Sequence, residues 1–115
     1  MSAVHVELLR AARAMIEGED VEYICVAIEH CVSWQWDKAG DDADRIHQLD
    51  MAWHDITCKI VKGLGRYDTL HTWLIDQYFH AKPYSLSKRR DICLLARLAW
   101  IDKMIEEYSD DTPRT

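Results

Sequence analysis

His47, Asp50, His54 and Cys58 follow one another at steps of three, four and four. On a helix this spacing sets two imidazoles, a carboxylate and a thiol along one face, and all four are ordinary ligands for zinc or nickel. The whole set cannot reach a single ion, because His47 and His54 lie two helical turns, about 10 Å, apart. His54 can pair with Asp50 or Cys58, but no second pair elsewhere has a spacing that completes a site. The expectation is a polar flank beside an apolar seam, with no metal and no cofactor.

Other reactive patterns are weaker. Ser85-Leu86-Ser87-Lys88 spells the S-x-x-K arrangement in which a lysine activates a serine for acyl transfer. That chemistry also needs an oxyanion hole and further motifs from a much larger chain. Here the four letters read as a helix cap followed by charge. His30 beside Cys31 lacks a third group to orient a nucleophile and its base. Gly63-Leu64-Gly65 lacks the lysine and hydroxyl of a phosphate loop. No pair of carboxylates stands out, so no catalytic residues are expected.

Recognition is a better use of the most unusual stretch, CVSWQWDKAGDDADR, from Cys31 to Arg45. It sets Trp34 and Trp36 two residues apart and runs directly into Asp37, Asp41, Asp42 and Asp44. On a helix the two indoles point about 160° apart and cannot serve one face. The stripe of Val21, Ile24, Cys25, Ile28, Cys31 and Val32 continues by its own spacing to Trp36. Trp36 is therefore expected in the core and Trp34 on display. An indole inside a rim of carboxylates has the anatomy of an interface hot spot. The expected partner-binding set is Trp34, Asp37, Asp41, Asp42 and Asp44. The alternative is that the chain leaves the helix before Trp34 and folds it back onto the core.

Composition constrains the partner. Residues 1–50 carry 11 acidic and 4 basic side chains, and residues 51–115 carry 9 and 10, within a net charge of −6. An acidic front half repels phosphate backbones, so direct nucleic-acid binding is not expected. Lys88, Arg89 and Arg90 form a basic cluster, with Arg97 two turns on, and read as a solvated helix start. An acidic surface is better matched to a protein partner with a basic, nucleic-acid-binding face. No apolar run approaches the roughly 18 residues of a membrane span. The opening MSAVHVELLRAARAMIEG has no signal-peptide pattern, and Cys25, Cys31, Cys58 and Cys93 include no CxxC. A cytosolic protein with free thiols is the expectation.

The elements that must hold these residues are helices. Leu8, Leu9, Ala12, Met15 and Ile16 mark a first helix stopped at Gly18. Asp20 is the expected cap of a second, and Gly40 turns the DKAGDDAD loop. Ile46, Leu49, Trp53, Ile56 and Ile60 form a heptad-like seam ending at Gly63. A fourth helix starts at Asp68 with Leu70, Trp73, Leu74 and Tyr78, and Pro83 breaks it. Ser85 or Ser87 caps the last helix, whose seam is Leu94, Leu98, Ile101, Ile105 and Tyr108. The tail 109–115 is polar and expected to fray. With 49% hydrophobic and 30% charged residues the chain can bury an ordinary core. The fold class expected is all-α, one domain over residues 1–115, a bundle of about five helices. Five tryptophans in 115 residues exceed the needs of one small core and leave room for a homodimer.

Three segments carry a resemblance. Leu9 to Glu17 reads L-x-x-A-R-x-x-I-E, Ile24 to Ile28 reads I-C-x-A-I, and Arg97 to Asp102 reads R-x-A-W-I-D. These resemble the two ends of a family of small phage-encoded all-helical proteins, over about a quarter of the chain. The resemblance brings no catalytic residues and implies a phage or prophage origin. By analogy with anti-CRISPR proteins, of similar size and charge, it implies stoichiometric inhibition of a host defence complex. The alternative expectation is a phage accessory or structural protein acting through self-association.

Overall fold

The computed structural model describes residues 2–18, 20–63 and 86–110, and these form four helices where the sequence reading counted five. They are α1 (Ser2–Glu17), α2 (Ile24–Ala39), α3 (Ala43–Gly63) and α4 (Leu86–Asp110). The expected helix from Asp68, its break at Pro83 and the Ser85 cap fall outside the described residues. Among the described residues no helix is long and apolar enough to cross a membrane. The fold is all-α.

α1 occupies the centre, packing on α2, α3 and α4, while α2 and α3 pack on each other. Its stripe is the one expected, with Leu8, Leu9, Ala12 and Ile16 buried and Met15 half-buried. Val4 and His5 extend the stripe toward the N-terminus. Ala12, Ala27 and Ala52 are wholly buried, and such small residues let helix axes approach closely. α3 inserts Leu49, Ala52, Ile56 and Ile60, close to the expected seam, whereas Trp53 is only half-buried.

The helix ends show why the elements stop where they do. Beyond α1, the amides of Gly18 and Asp20 donate to the carbonyls of Ala14 and Met15, both at 3.0 Å. Asp20 thus closes α1 and does not cap α2, which starts three residues later than expected. Tyr23 is the N-cap there, in extended geometry and without a side-chain cap. Gly40 ends α2 at φ 59°, ψ −114°, a left-handed conformation that costs other residues a steric penalty. Asp42 then caps α3, its Oδ1 accepting the Arg45 amide at 3.1 Å.

α4 departs most from expectation. Its buried face is Cys93, Arg97, Trp100, Ile101, Met104 and Tyr108, while Leu94, Leu98 and Ile105 are half-buried. The helix is turned so that the indole of Trp100, the largest apolar area available, faces the core. Trp100 lies against the end of α3, where a β-carbon on Gly63 would stand 2.5 Å from its Nε1. Arg97, expected in solvent, is 2% exposed, with its guanidinium 4.9 Å from the centroid of the Tyr23 ring. Ser87 lies inside the helix and so is not its cap. Ser109 and Asp110 continue the helix where fraying was expected, and residues 111–115 lie outside the described residues.

Candidate interaction surface

The helical register of α2 determines where the two indoles go. The helix runs unbroken through Trp34 and Trp36 to Ala39, but its last buried residue is Val32. Trp34 stands out from it at 57% exposure. Trp36, expected in the core, is also exposed, at 38%. Its ring shares a shallow cleft with Trp53, Glu29, Val32 and Ser33. Trp53 is only half-buried there as well, so the cleft leaves both indoles partly in solvent. The expected continuation of the buried stripe therefore stops one turn early.

Trp34 lies on the opposite side of α2, at the end of a groove of about 480 Å³. Met15 of α1, Asp20 and Val21 of the connection, and His30 and Cys31 of α2 complete the lining. Cys31 Sγ rests 3.8 Å from Met15 Sδ, so sulfur and aliphatic carbon make the floor. Burial pushes the Cys31 thiol above its ordinary value, the opposite of what an activated nucleophile needs. One face of the Trp34 ring is already engaged. The Lys38 ammonium, one turn on, sits 3.6 Å from the ring centroid. This is a cation–π contact between neighbours on one helix face.

The carboxylates divide by location. Asp37, Asp41, Asp42 and Asp44 are all exposed. Asp37 follows Trp34 by three residues and shares its helix face. Asp41 is in the turn beyond Gly40. Asp42 has a structural task as the α3 cap, and Asp44 stands in the first turn of α3, where the helix dipole favours a negative charge. Arg45 offsets part of the acidic field. Its Nη2 donates to both carboxylate oxygens of Glu7, at 3.1 and 3.2 Å, and to Gln35 Oε1 at 3.3 Å, tying α3 to α1 and α2.

The His47 face is a polar flank. His47, His54 and Cys58 are exposed and Asp50 is half-buried. Among the described residues no three His, Cys, Asp or Glu side chains come together as a metal-holding group.

A polar cluster that sequence reasoning missed lies where α1, α3 and α4 meet. His5 Nε2 is 2.9 Å from Asp55 Oδ2, and the His5 ring stacks on Tyr108 with centroids 4.5 Å apart. The Lys59 ammonium lies 4.2 Å from the Tyr108 centroid and 3.4 Å from Glu107 Oε1. His5 fell one step outside the apolar stripe, and its partner is 50 residues away, so no local signal marked it. The chain matches no protein-family model, no curated protein and no solved structure.

Proposed function

We propose that this chain is a phage-encoded, non-enzymatic stoichiometric inhibitor that binds a basic surface of a host defence complex of the CRISPR-Cas kind. It would act in the host cytosol. The observation that carries the reading is the display of Trp34 at 57% exposure, with Asp37 on its helix face and Asp41 just past the helix end. A large exposed aromatic beside carboxylates suits a basic, nucleic-acid-handling protein better than nucleic acid itself. The segments resembling small phage proteins place Leu9, Ala12, Ile16, Ile24, Ala27, Ile28, Trp100 and Ile101 in the core. What they share with those proteins is a packing pattern, and the phage assignment rests on that pattern.

A second reading, self-association as a phage accessory protein, draws support from Trp36, whose exposure leaves an indole cleft at the rim of α2 and α3.

One experiment separates the two. Tagged protein and its Trp34→Ala and Trp36→Ala variants are used to capture partners from host lysate, alongside native mass of each. Inhibition predicts a nucleic-acid-binding defence subunit retained by the parent and by Trp36→Ala but lost with Trp34→Ala. Its affinity should fall as salt rises, because exposed charges are screened beyond about 8–10 Å at physiological ionic strength. Salt-independent binding removes the electrostatic part of the reading. A native dimer that Trp36→Ala converts to monomer, with no defence subunit captured, replaces inhibition by self-association.

A further inference from the structure

The groove beside Trp34 has a composition that identifies what enters it. Met15, Val21 and Cys31 line it with apolar surface, and the exposed His30 lies among them. Its wall is the Trp34 indole, and Asp20 contributes a carboxylate. An aliphatic stem with a cationic head matches that sequence of surfaces, the stem along sulfur and methyl groups and the head against ring and carboxylate. The chain itself supplies a cation for this ring, since Lys38 already lies 3.6 Å from the Trp34 centroid.

We infer that the groove between α1 and α2 is a receptor for one arginine side chain of a partner protein, with Lys38 as a neighbouring cation that competes with the arginine for the Trp34 ring. The inference rests on the proposed reading that the partner's surface is basic, and it names the group that surface must present. Arginine fits better than lysine. Its planar guanidinium stacks on an indole face while its edge hydrogen-bonds a carboxylate, and it is less strongly hydrated than an ammonium. Lys38 contacts the Trp34 ring but is not among the residues that line the groove, so the groove stays open beside it. A partner arginine gains the floor, the ring and Asp20 together, and Lys38 can turn back to solvent.

Two-dimensional NMR of the isotopically labelled full chain tests this. The probes are acetyl-arginine methylamide and its neutral isostere acetyl-citrulline methylamide. Arginine should shift the Trp34 indole N–H and the Met15 and Asp20 signals in a saturable way, and citrulline should not. Trp34→Ala should weaken arginine binding by about two- to fivefold, the scale of a cation–π contact at an exposed ring. Lys38→Met keeps the stem and removes the competing charge, and should tighten binding roughly two- to fivefold in the parent. In the Trp34→Ala background the same change should have a smaller effect, because the ring over which the two cations compete is gone. Far-ultraviolet circular dichroism verifies that each variant keeps its helices.

Equal shifts from arginine and citrulline overturn the inference, as do shifts that survive Trp34→Ala unchanged. Concentration-dependent self-association that Trp34→Ala abolishes would assign the groove to a second copy and also overturns it. Failure of lysate capture with a working arginine site would sink the inhibitor reading and leave the groove assignment standing. Capture that depends on Trp34 without an arginine response would do the reverse.

Discussion

Single residues here have duties that their type alone does not reveal. Asp42 and Asp41 are adjacent exposed carboxylates, yet Asp42 accepts the Arg45 amide and caps α3. Asp42→Ala should lower stability by about 0.5–2 kcal/mol, the usual cost of a lost cap, whereas Asp41→Ala should leave it nearly unchanged. Equal urea midpoints for the two variants would refute the distinction. At Gly63 two effects oppose. Alanine gains up to about 1 kcal/mol of helix propensity over glycine, and less at a terminal residue. Its methyl would meet the buried Trp100 indole at 2.5 Å, and forcing a packed side chain aside costs about 1–3 kcal/mol. The clash should win, so Gly63→Ala destabilises the protein. In a Trp100→Leu background the sign should reverse, and thermal melts of the four variants check it. The reactive residues of the sequence remain where their spacing put them, with the His47 face exposed and Cys31 buried. What was not legible at this scale was the contact of Lys38 with Trp34. Spacing of four permits that contact, but a rotamer chooses it.

At the scale of the element, the helical period was legible and the facing was not always so. Ile56 and Ile101 are fully buried on α3 and α4. Ile56→Ala and Ile101→Ala should each cost about 2–5 kcal/mol, with the spread determined by how far the cavity collapses. Unchanged melting temperatures in both would contradict the packing described here. Leu98, expected beside them, is only half-buried, so Leu98→Ala should cost clearly less than Ile101→Ala. α4 was misread because Arg97 was counted as solvent-facing and Trp100 and Met104 were left out of the stripe. Adding them turns the buried face by about one residue. The expected α2 stripe holds at Ile24, Ile28, Cys31 and Val32, leaves out Ala27, and fails at Trp36, since a stripe can be extended on paper past the point where the neighbouring helices cover it.

For the whole molecule, pH should act through groups that the fold desolvates. Burial raises the Cys31 and Cys93 thiols above their ordinary values, with the Arg97 charge opposing and Glu22 reinforcing it at Cys93. Burial also raises the Tyr108 phenol above its ordinary value, against the lowering influence of Lys59. Each group holds its proton more tightly when folded than when unfolded. The stability it contributes is complete below the unfolded value and is lost as pH rises through the folded one. Melting temperature under reducing conditions should therefore fall from about pH 9 upward. Cys31→Ala should make that fall shallower, even though it lowers stability at neutral pH. A parent whose stability is flat from pH 8 to 11 would show that these groups are not desolvated.

The sequence by itself determined that the chain is helical, that α1 stops at Gly18, that Gly40 turns the chain out of α2, and that Trp34 and Trp36 face apart. These follow from local rules: the 3.6-residue period, the left-handed tolerance of glycine and the spacing of apolar residues. Only the tertiary structure decided that Arg97 and His5 are interior and that Trp36 stays at the rim. It also placed Met15 of α1 beside Trp34 of α2, making a groove from residues that no motif joins. Burial and pairing depend on what a distant element presents, and spacing within one helix carries no record of its neighbours.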